Sequence, residues 1–186
     1  MGGERVERVL TDQGEERADA YILACGSYSP LPARAFGERL PIYPIKGCSV
    51  TIPVDGANNP PTLGGIDEDN ICAYVRLGDR VRSTAVAEFA GYDVSHTLAN
   101  FRAMLGALKD LFPSDADLWA APVMGVPAAV TPEGTPVLGR GRLNNLWYNT
   151  GHGHRGWTTA CGTRPVSADL FAGCTPDLPL EGLTLR

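Results

Sequence analysis

The densest group of chemically useful residues lies between Asn149 and Trp157, where Gly151-His152-Gly153-His154-Arg155-Gly156 satisfies the spacing G-x-G-x-x-G. After a strand and before a helix, glycines at this spacing let backbone N–H groups approach an oxygen-rich ligand closely. The N-terminus of the following helix adds a partial positive charge of roughly half an electron. A dinucleotide pyrophosphate is one ligand of that kind, but its fingerprint needs a further strand carrying an acid for the ribose. Only about a dozen residues follow Gly173, too few for that unit. A plain structural glycine turn is the other reading of the spelling alone.

Other residue types exclude more than they suggest. The five cysteines (Cys25, Cys48, Cys72, Cys161 and Cys174) form no C-x-x-C pair, so a zinc site is not expected. Their odd number and irregular spacing fit a reduced, cytoplasmic setting, with each thiol a small buried hydrophobe or a spare surface group. A hydrolase triad of Cys161, His152 and Asp169 is set aside, because nothing marks the cysteine as activated. The formal net charge of −5 and the lack of a basic stripe argue against nucleic acid as a partner. No apolar run reaches the length of a membrane span, and Met1-Gly2-Gly3-Glu4-Arg5 is too polar for a signal peptide.

The elements that must position the loop follow from pattern. At 186 residues, 44% hydrophobic and 20% charged, the chain has globular composition, with room for one domain or a domain and part of another. Arg5–Thr11, a turn at Asp12-Gln13-Gly14 and a return at Ala18–Ala24 read as a hairpin. The nearly continuous apolar run Ala20–Ala24 reads as a strand buried on both faces, ending in the small-residue turn Cys25-Gly26-Ser27. Such a strand belongs inside a larger sheet, so the start resembles the middle of a domain. Further strands are expected at Cys48–Ile52, Ile71–Leu77 and Val81–Glu88, the last two flanking Gly78-Asp79, with a polar loop at Ala57–Pro61. Leu98, Phe101, Leu105, Leu108 and Leu111-Phe112 recur at helical spacing, with Ser95 as cap and Pro113 as stop. The proline-rich segment Leu118–Pro136 reads as irregular, Leu146–Asn149 as a short strand, and the stretch after the glycine loop as a helix to about Ala172-Gly173.

A strand, a glycine loop and a helix N-terminus can also stabilise negative charge developing on a flavin ring at its N1 and C2 carbonyl. Leu146-Trp147-Tyr148-Asn149-Thr150-Gly151-His152-Gly153-His154-Arg155-Gly156-Trp157-Thr158-Thr159-Ala160-Cys161-Gly162 resembles the flavin-proximal signature of the D-amino-acid oxidase superfamily, and most of all its bacterial D-amino-acid dehydrogenase branch. Ala18–Ser29 resembles the second flavin-binding strand and turn of that family. Pro41–Ser49 resembles its crossover into the substrate domain, Arg76–Glu88 its hairpin strands, and Thr131–Gly139 its return to the flavin domain.

The resemblance implies an α+β fold, with a mainly antiparallel mixed sheet plus helices as substrate domain and the C-terminal part of a glutathione-reductase-type FAD domain. The implied boundaries are 1–40 for a partial FAD-binding domain, 41–130 for the substrate domain and 131–186 for the return. It implies FAD as cofactor and oxidation of an amino acid by hydride transfer from Cα–H to flavin N5. Gly26, Ser27, Gly47, Gly151, His152, Gly153, Gly156, Trp157 and Thr158 are the implied cofactor contacts, and Tyr74 and Arg155 the substrate-contact candidates. No catalytic residue is singled out, since positioning does most of the work. Trp157 packs on the ring region or fills core, and Lys46 either lies near the flavin or is a surface charge. Implied partners are an amino-acid substrate, a separate chain carrying the ADP-binding half, a further copy of the chain, and the inner-membrane face through the electron acceptor.

The chain also departs from the family pattern. The amino-terminal G-x-G-x-x-G unit that holds the ADP half is absent, so the expectation is a carboxy-terminal portion with weakened hold on FAD. Val123-Met124-Gly125-Val126-Pro127-Ala128-Ala129-Val130 stands where the family has an arginine for the substrate carboxylate, a strong orienting contact. Arg155, Arg76 and Arg82 are the substitutes in sequence. Thr84-Ala85 replaces a pair of glycines. Pro165 falls within the final helix, at a cost of roughly 3 kcal/mol unless the helix kinks. A non-catalytic homologue that folds without FAD, and an amino-acid-binding module, are the alternatives.

Overall fold

The computed structural model describes residues 5–54, 60–111 and 121–184. The expectations placed on residues 1–4, 57–59, 118–120, Phe112 and Pro113 lie outside them. In chain order the elements are β1 (Val9–Thr11), β2 (Gly14–Glu16), β3 (Tyr21–Leu23), α1 (Pro30–Ala35), β4 (Tyr43–Pro53), β5 (Gly65–Asp67), β6 (Cys72–Leu77), β7 (Arg80–Glu88), α2 (Leu98–Leu111), β8 (Val123–Val130), β9 (Val137–Arg140), β10 (Leu146–Thr150) and α3 (Gly156–Ala172). The fold is α+β. Two compact units divide the chain, one of Met1–Pro44 with Ala128–Arg186, the other of Ile45–Pro127.

In the first unit the hairpin is tighter than the sequence suggests. β1 pairs antiparallel with β2, Val9 opposite Glu16 and Thr11 opposite Gly14. The apolar run that follows is therefore not the returning strand. It forms β3, which pairs in parallel with β10, and β10 in turn pairs antiparallel with β9, giving the order β3-β10-β9. β3 is an edge strand, and Ile22 is 58% exposed rather than buried on both faces. An apolar triplet alone does not reveal how many faces a sheet covers. The core collects Val6, Ala33, Leu40, Ile42, Ala129, Val137, Leu146 and Tyr148. Asn145 fastens the start of the unit to this sheet. Its Oδ1 accepts the Val6 N–H at 2.7 Å and its Nδ2 donates to the Val6 carbonyl at 2.9 Å.

The second unit is a helix on a sheet of order β5-β6-β7-β4-β8. β6 and β7 form the expected hairpin around Gly78-Asp79, with Leu77 opposite Arg80. β4 pairs antiparallel with β7, its register shifting between Gly47 and Cys48. The middle of the expected stripe is core: Phe101, Leu105 and Leu108, joined by Met104, pack with Cys48, Val50, Ile52, Cys72 and Val81, whereas Leu98, on the first turn, is 56% exposed. α2 begins three residues beyond the expected cap. Asn100 Oδ1 accepts the Thr97 N–H at 2.8 Å, while the carbonyl of Ser95 is taken by Lys46.

The proline-rich segment expected to be irregular holds the strand β8. Pro127 is compatible with it because β8 ends the sheet order, where a missing N–H breaks no ladder on the open side. α3 runs unbroken through Pro165 and closes on Gly173 in the left-handed conformation, φ 74°.

Candidate functional site

Register alone brings two glycine turns together. The parallel pairing sets Leu146 beside Tyr21, Trp147 beside Ile22 and Tyr148 beside Leu23. Gly26 follows Leu23 by three residues, and Gly151 follows Tyr148 by three. Both turns therefore leave the carboxyl edge of the same parallel pair, the edge at which α/β sheets receive ligands.

Each turn is held from within. Gly26–Tyr28 is a single 3-10 turn, closed by the Ser29 N–H on the Gly26 carbonyl at 3.1 Å. Gly151 has φ 76°, and a side chain there would come within 3.0 Å of Thr131 Cγ2. Gly153 donates its N–H to the Ala129 carbonyl at 2.8 Å. The outer surfaces are open. A β-carbon on Gly26 would meet nothing within 4 Å, and one on Gly153 only Val130 Cγ2 at 4.0 Å.

α3 starts immediately beyond, and no side chain caps its N-terminus. The amides of Gly156, Trp157 and Thr158 belong to the first turn, where a helix leaves its N–H groups without intrahelical acceptors. His152 is half-buried, and burial pushes its imidazole below the ordinary value of 6.5, so the ring is neutral at pH 7. A neutral imidazole offers one ring N–H without adding charge. His154 is exposed. In the strand leading to the loop, Asn149 Oδ1 is buried without a hydrogen-bond partner, as is Ser167 Oγ on α3.

The predicted residues thus fall into two groups. Gly26, Ser27, Gly151, His152, Gly153, Arg155, Gly156, Trp157 and Thr158 belong to the first unit, whereas Gly47 and Tyr74 belong to the second. Ser27 is buried, and Gly47 sits at the register shift of β4. Tyr74 packs against the α2 core with its hydroxyl over Gly65. Arg155 is exposed, its guanidinium lying over Gly134. Trp157 does not fill core, being 96% exposed. Its place on the first turn of a helix that buries only Val166 explains the difference.

Lys46 is likewise not a surface charge. Its side chain is 3% exposed, and its Nζ lies 2.9 Å from Glu88 Oε2 and 2.7 Å from the Ser95 carbonyl. The hydrogen bond to Glu88 holds the ammonium above its ordinary pKa. Of the substitute arginines, Arg76 donates to the Gly78 carbonyl and Arg82 to Thr51 Oγ1, and both are exposed.

Ser29 and Thr150 were not singled out by sequence, yet they join the two turns through hydroxyl oxygens 2.6 Å apart. Their one signal is position, a hydroxyl residue beside each glycine turn. All five cysteines are free, and Cys48 and Cys72 are buried. Among the described residues no cluster of His, Cys, Asp or Glu could hold a metal ion, and no helix is long and apolar enough to cross a membrane.

These residues fit a flat ring with a polar edge. Two open glycine surfaces flank the carboxyl edge of the sheet, and the free amides of a helix N-terminus face carbonyl-type oxygens well. Known proteins agree on the family. The model of the FAD dependent oxidoreductase family DAO matches residues 2–169. D-amino acid dehydrogenase 2 of Mesorhizobium japonicum is 43% identical over 97% of this chain and 44% of its own length. D-amino acid dehydrogenase of Paramagnetospirillum magneticum is 43% identical over 97% of this chain and 43% of its own. The chain thus spans less than half the length of these curated relatives. Among solved structures, iminodiacetate oxidase from Chelativorans sp. BNC1 superimposes with a TM-score of 0.81 at 22% identity, over 98% of this chain and 50% of that one. Glycine oxidase from Geobacillus kaustophilus gives 0.80 at 22% identity, over 96% and 48%. With a family model matched along nearly its whole length, this chain belongs to the DAO family of FAD dependent oxidoreductases.

Proposed function

We propose that the chain forms the ring-binding end of an FAD site in a flavoprotein that oxidises amino acids, of the D-amino-acid dehydrogenase type. The observation that carries this reading is the in-register parallel pair β3–β10, which sets the Gly26 and Gly151 turns side by side at one sheet edge. In unit one, Gly26, Ser27, Gly151, His152, Gly153, Gly156, Trp157 and Thr158 would hold the ring. From unit two, Gly47 is the proposed cofactor contact and Tyr74 a substrate contact, with Arg155 the other.

When bound, the flavin would supply the hydride acceptor for the amino-acid Cα–H. The chain's own contribution is binding and orientation. Amides at the start of α3 donate to oxygen where negative charge gathers, in a site where a fixed donor needs no reorganisation. Neutral His152 can donate without drawing a second anion. An ADP-binding portion outside the described residues completes the cofactor site in this proposal. A respiratory electron acceptor at the inner-membrane face and self-association belong to the same proposal.

A second reading has one observation in its favour. β8, Val123–Val130, carries no arginine to meet a substrate carboxylate, which fits a homologue that binds without turnover. Titration of the purified chain with FAD, followed by flavin fluorescence and visible absorbance, tests the first reading. Saturable binding that Gly153→Val abolishes is expected. No change in either signal would overturn it.

A further inference from the structure

We infer that Ser29 and Thr150 are a positioning pair, a buried hydroxyl relay that holds the two glycine turns at one fixed spacing so that both meet the same ligand. Ser29 is fully buried and Thr150 is 1% exposed. Their hydroxyl oxygens lie 2.6 Å apart, across 121 residues of chain. Thr150 Oγ1 also donates to the Gly26 carbonyl at 3.2 Å. A carbonyl only accepts, so the Thr150 proton goes to Gly26 and the Ser29 proton to Thr150. The direction of the relay is thereby fixed: Ser29 to Thr150 to Gly26.

Each end of the relay abuts a turn. Thr150 immediately precedes Gly151, and Ser29 closes the 3-10 turn through its N–H on the same Gly26 carbonyl. Backbone ladder bonds pair β3 with β10 only from Tyr21 to Leu23 and Leu146 to Tyr148, so they stop short of both turns. Beyond the last rung the relay ties the two chain ends together. Removing the Thr150 hydroxyl leaves the Ser29 hydroxyl buried without its acceptor and frees one bond on Gly26. Linked hydroxyls also polarise one another, so the chain of bonds is lost as a unit.

This inference rests on the flavin reading for its ligand, but its geometry is testable without one. Amide hydrogen exchange is measured on the full chain and on Thr150→Val, Ser29→Ala, Thr150→Ser and the control Thr135→Val. The control removes a hydroxyl bond to the Gly182 carbonyl in the same unit, a bond that touches neither turn directly. The expected result is exchange accelerated about tenfold at Gly26–Ser29 and at Gly151–Gly153 together in Thr150→Val and Ser29→Ala. Amides inside β9 and β10 keep their protection, Thr150→Ser restores both turns, and Thr135→Val leaves both unchanged. Acceleration in one turn only, or a uniform loss across the unit that Thr135→Val reproduces, overturns the pair.

FAD titration of the same proteins separates the two ideas. Joint acceleration in Thr150→Val and Ser29→Ala, with a wild-type chain that binds no FAD, keeps the pair and overturns the flavin reading. FAD binding that is equally tight in wild type and Thr150→Val, with unchanged exchange, overturns the pair and keeps the flavin reading.

Discussion

α2 and α3 are built on opposite principles. α2 has 14 residues and buries Phe101, Met104, Leu105 and Leu108 against a five-stranded sheet. α3 has 17 residues and buries only Val166, while Trp157 and Phe171 stand exposed. α2 is held by what its side chains pack against, as an amphipathic helix should be. α3 is placed by what precedes it, a strand locked into a parallel register and a glycine loop tied to Ala129, and meets the sheet through a few contacts late in the helix, Val166, Leu170 beside Gly139 and Phe171 against Trp147. A helix anchored through its first turn presents that turn accurately, and sparse packing along the rest suffices. The comparison separates a helix that makes a core from one that makes a site.

The largest test of this difference lies in α2. Phe101→Ala removes a fully buried ring and should cost about 3–5 kcal/mol. Chemical denaturation followed by far-UV circular dichroism measures it, and a loss under about 1 kcal/mol would show that the α2 core is not what holds the second unit. Next comes Pro165→Ala in α3. Pro165 is exposed and lacks the N–H that would bond to the Cys161 carbonyl. Alanine there should stabilise the helix by up to about 3 kcal/mol. An unchanged denaturation midpoint would mean that α3 contributes nothing to cooperative unfolding.

His152 sharpens the comparison through pH. Burial depresses its folded-state pKa below the usual 6.5, so the folded chain resists protonation where the unfolded chain accepts it. The contribution is fully present above about pH 6.5, declines as pH falls toward the folded pKa, and levels off below it. His152→Asn should flatten the melting temperature over that window. An imidazole that titrates by NMR at or above 6.5 would remove the burial on which the neutral-donor role depends.

What sequence disclosed, and what it withheld, follows the same division. The α2 stripe, the Gly78-Asp79 hairpin and the strand–loop–helix around Gly151 are local patterns, carried by neighbours three or four residues apart or by a turn. β3 reads in sequence as part of a hairpin because its partner, β10, lies more than a hundred residues away and no local period encodes that pairing. β8 is hidden in sequence by Pro127, which reads as a breaker until the sheet order places it at an edge. Lys46 reads as a surface charge because the partners that let it be buried, Glu88 and the Ser95 carbonyl, come from other segments of the chain. The glycines of the candidate site were legible by type and spacing. The hydroxyl pair joining them was not, since its significance depends on a register visible only in three dimensions.

The smallest expected change in stability is the most telling about α3. Trp157 is 96% exposed on the first turn, so Trp157→Ala removes almost no buried surface and should shift stability by no more than about 0.5 kcal/mol. The same substitution in a core would cost several times more. If α3 exists to present its first turn, an indole at that turn is surface held ready for a ligand or a covering partner. Trp157→Ala should then weaken FAD binding severalfold while leaving the denaturation midpoint in place. Loss of stability without loss of binding would reverse the assignment and make Trp157 a packing residue of the first unit. Loss of neither would leave the amides of Gly156, Trp157 and Thr158, which the substitution preserves, as the part of the first turn that meets the ring.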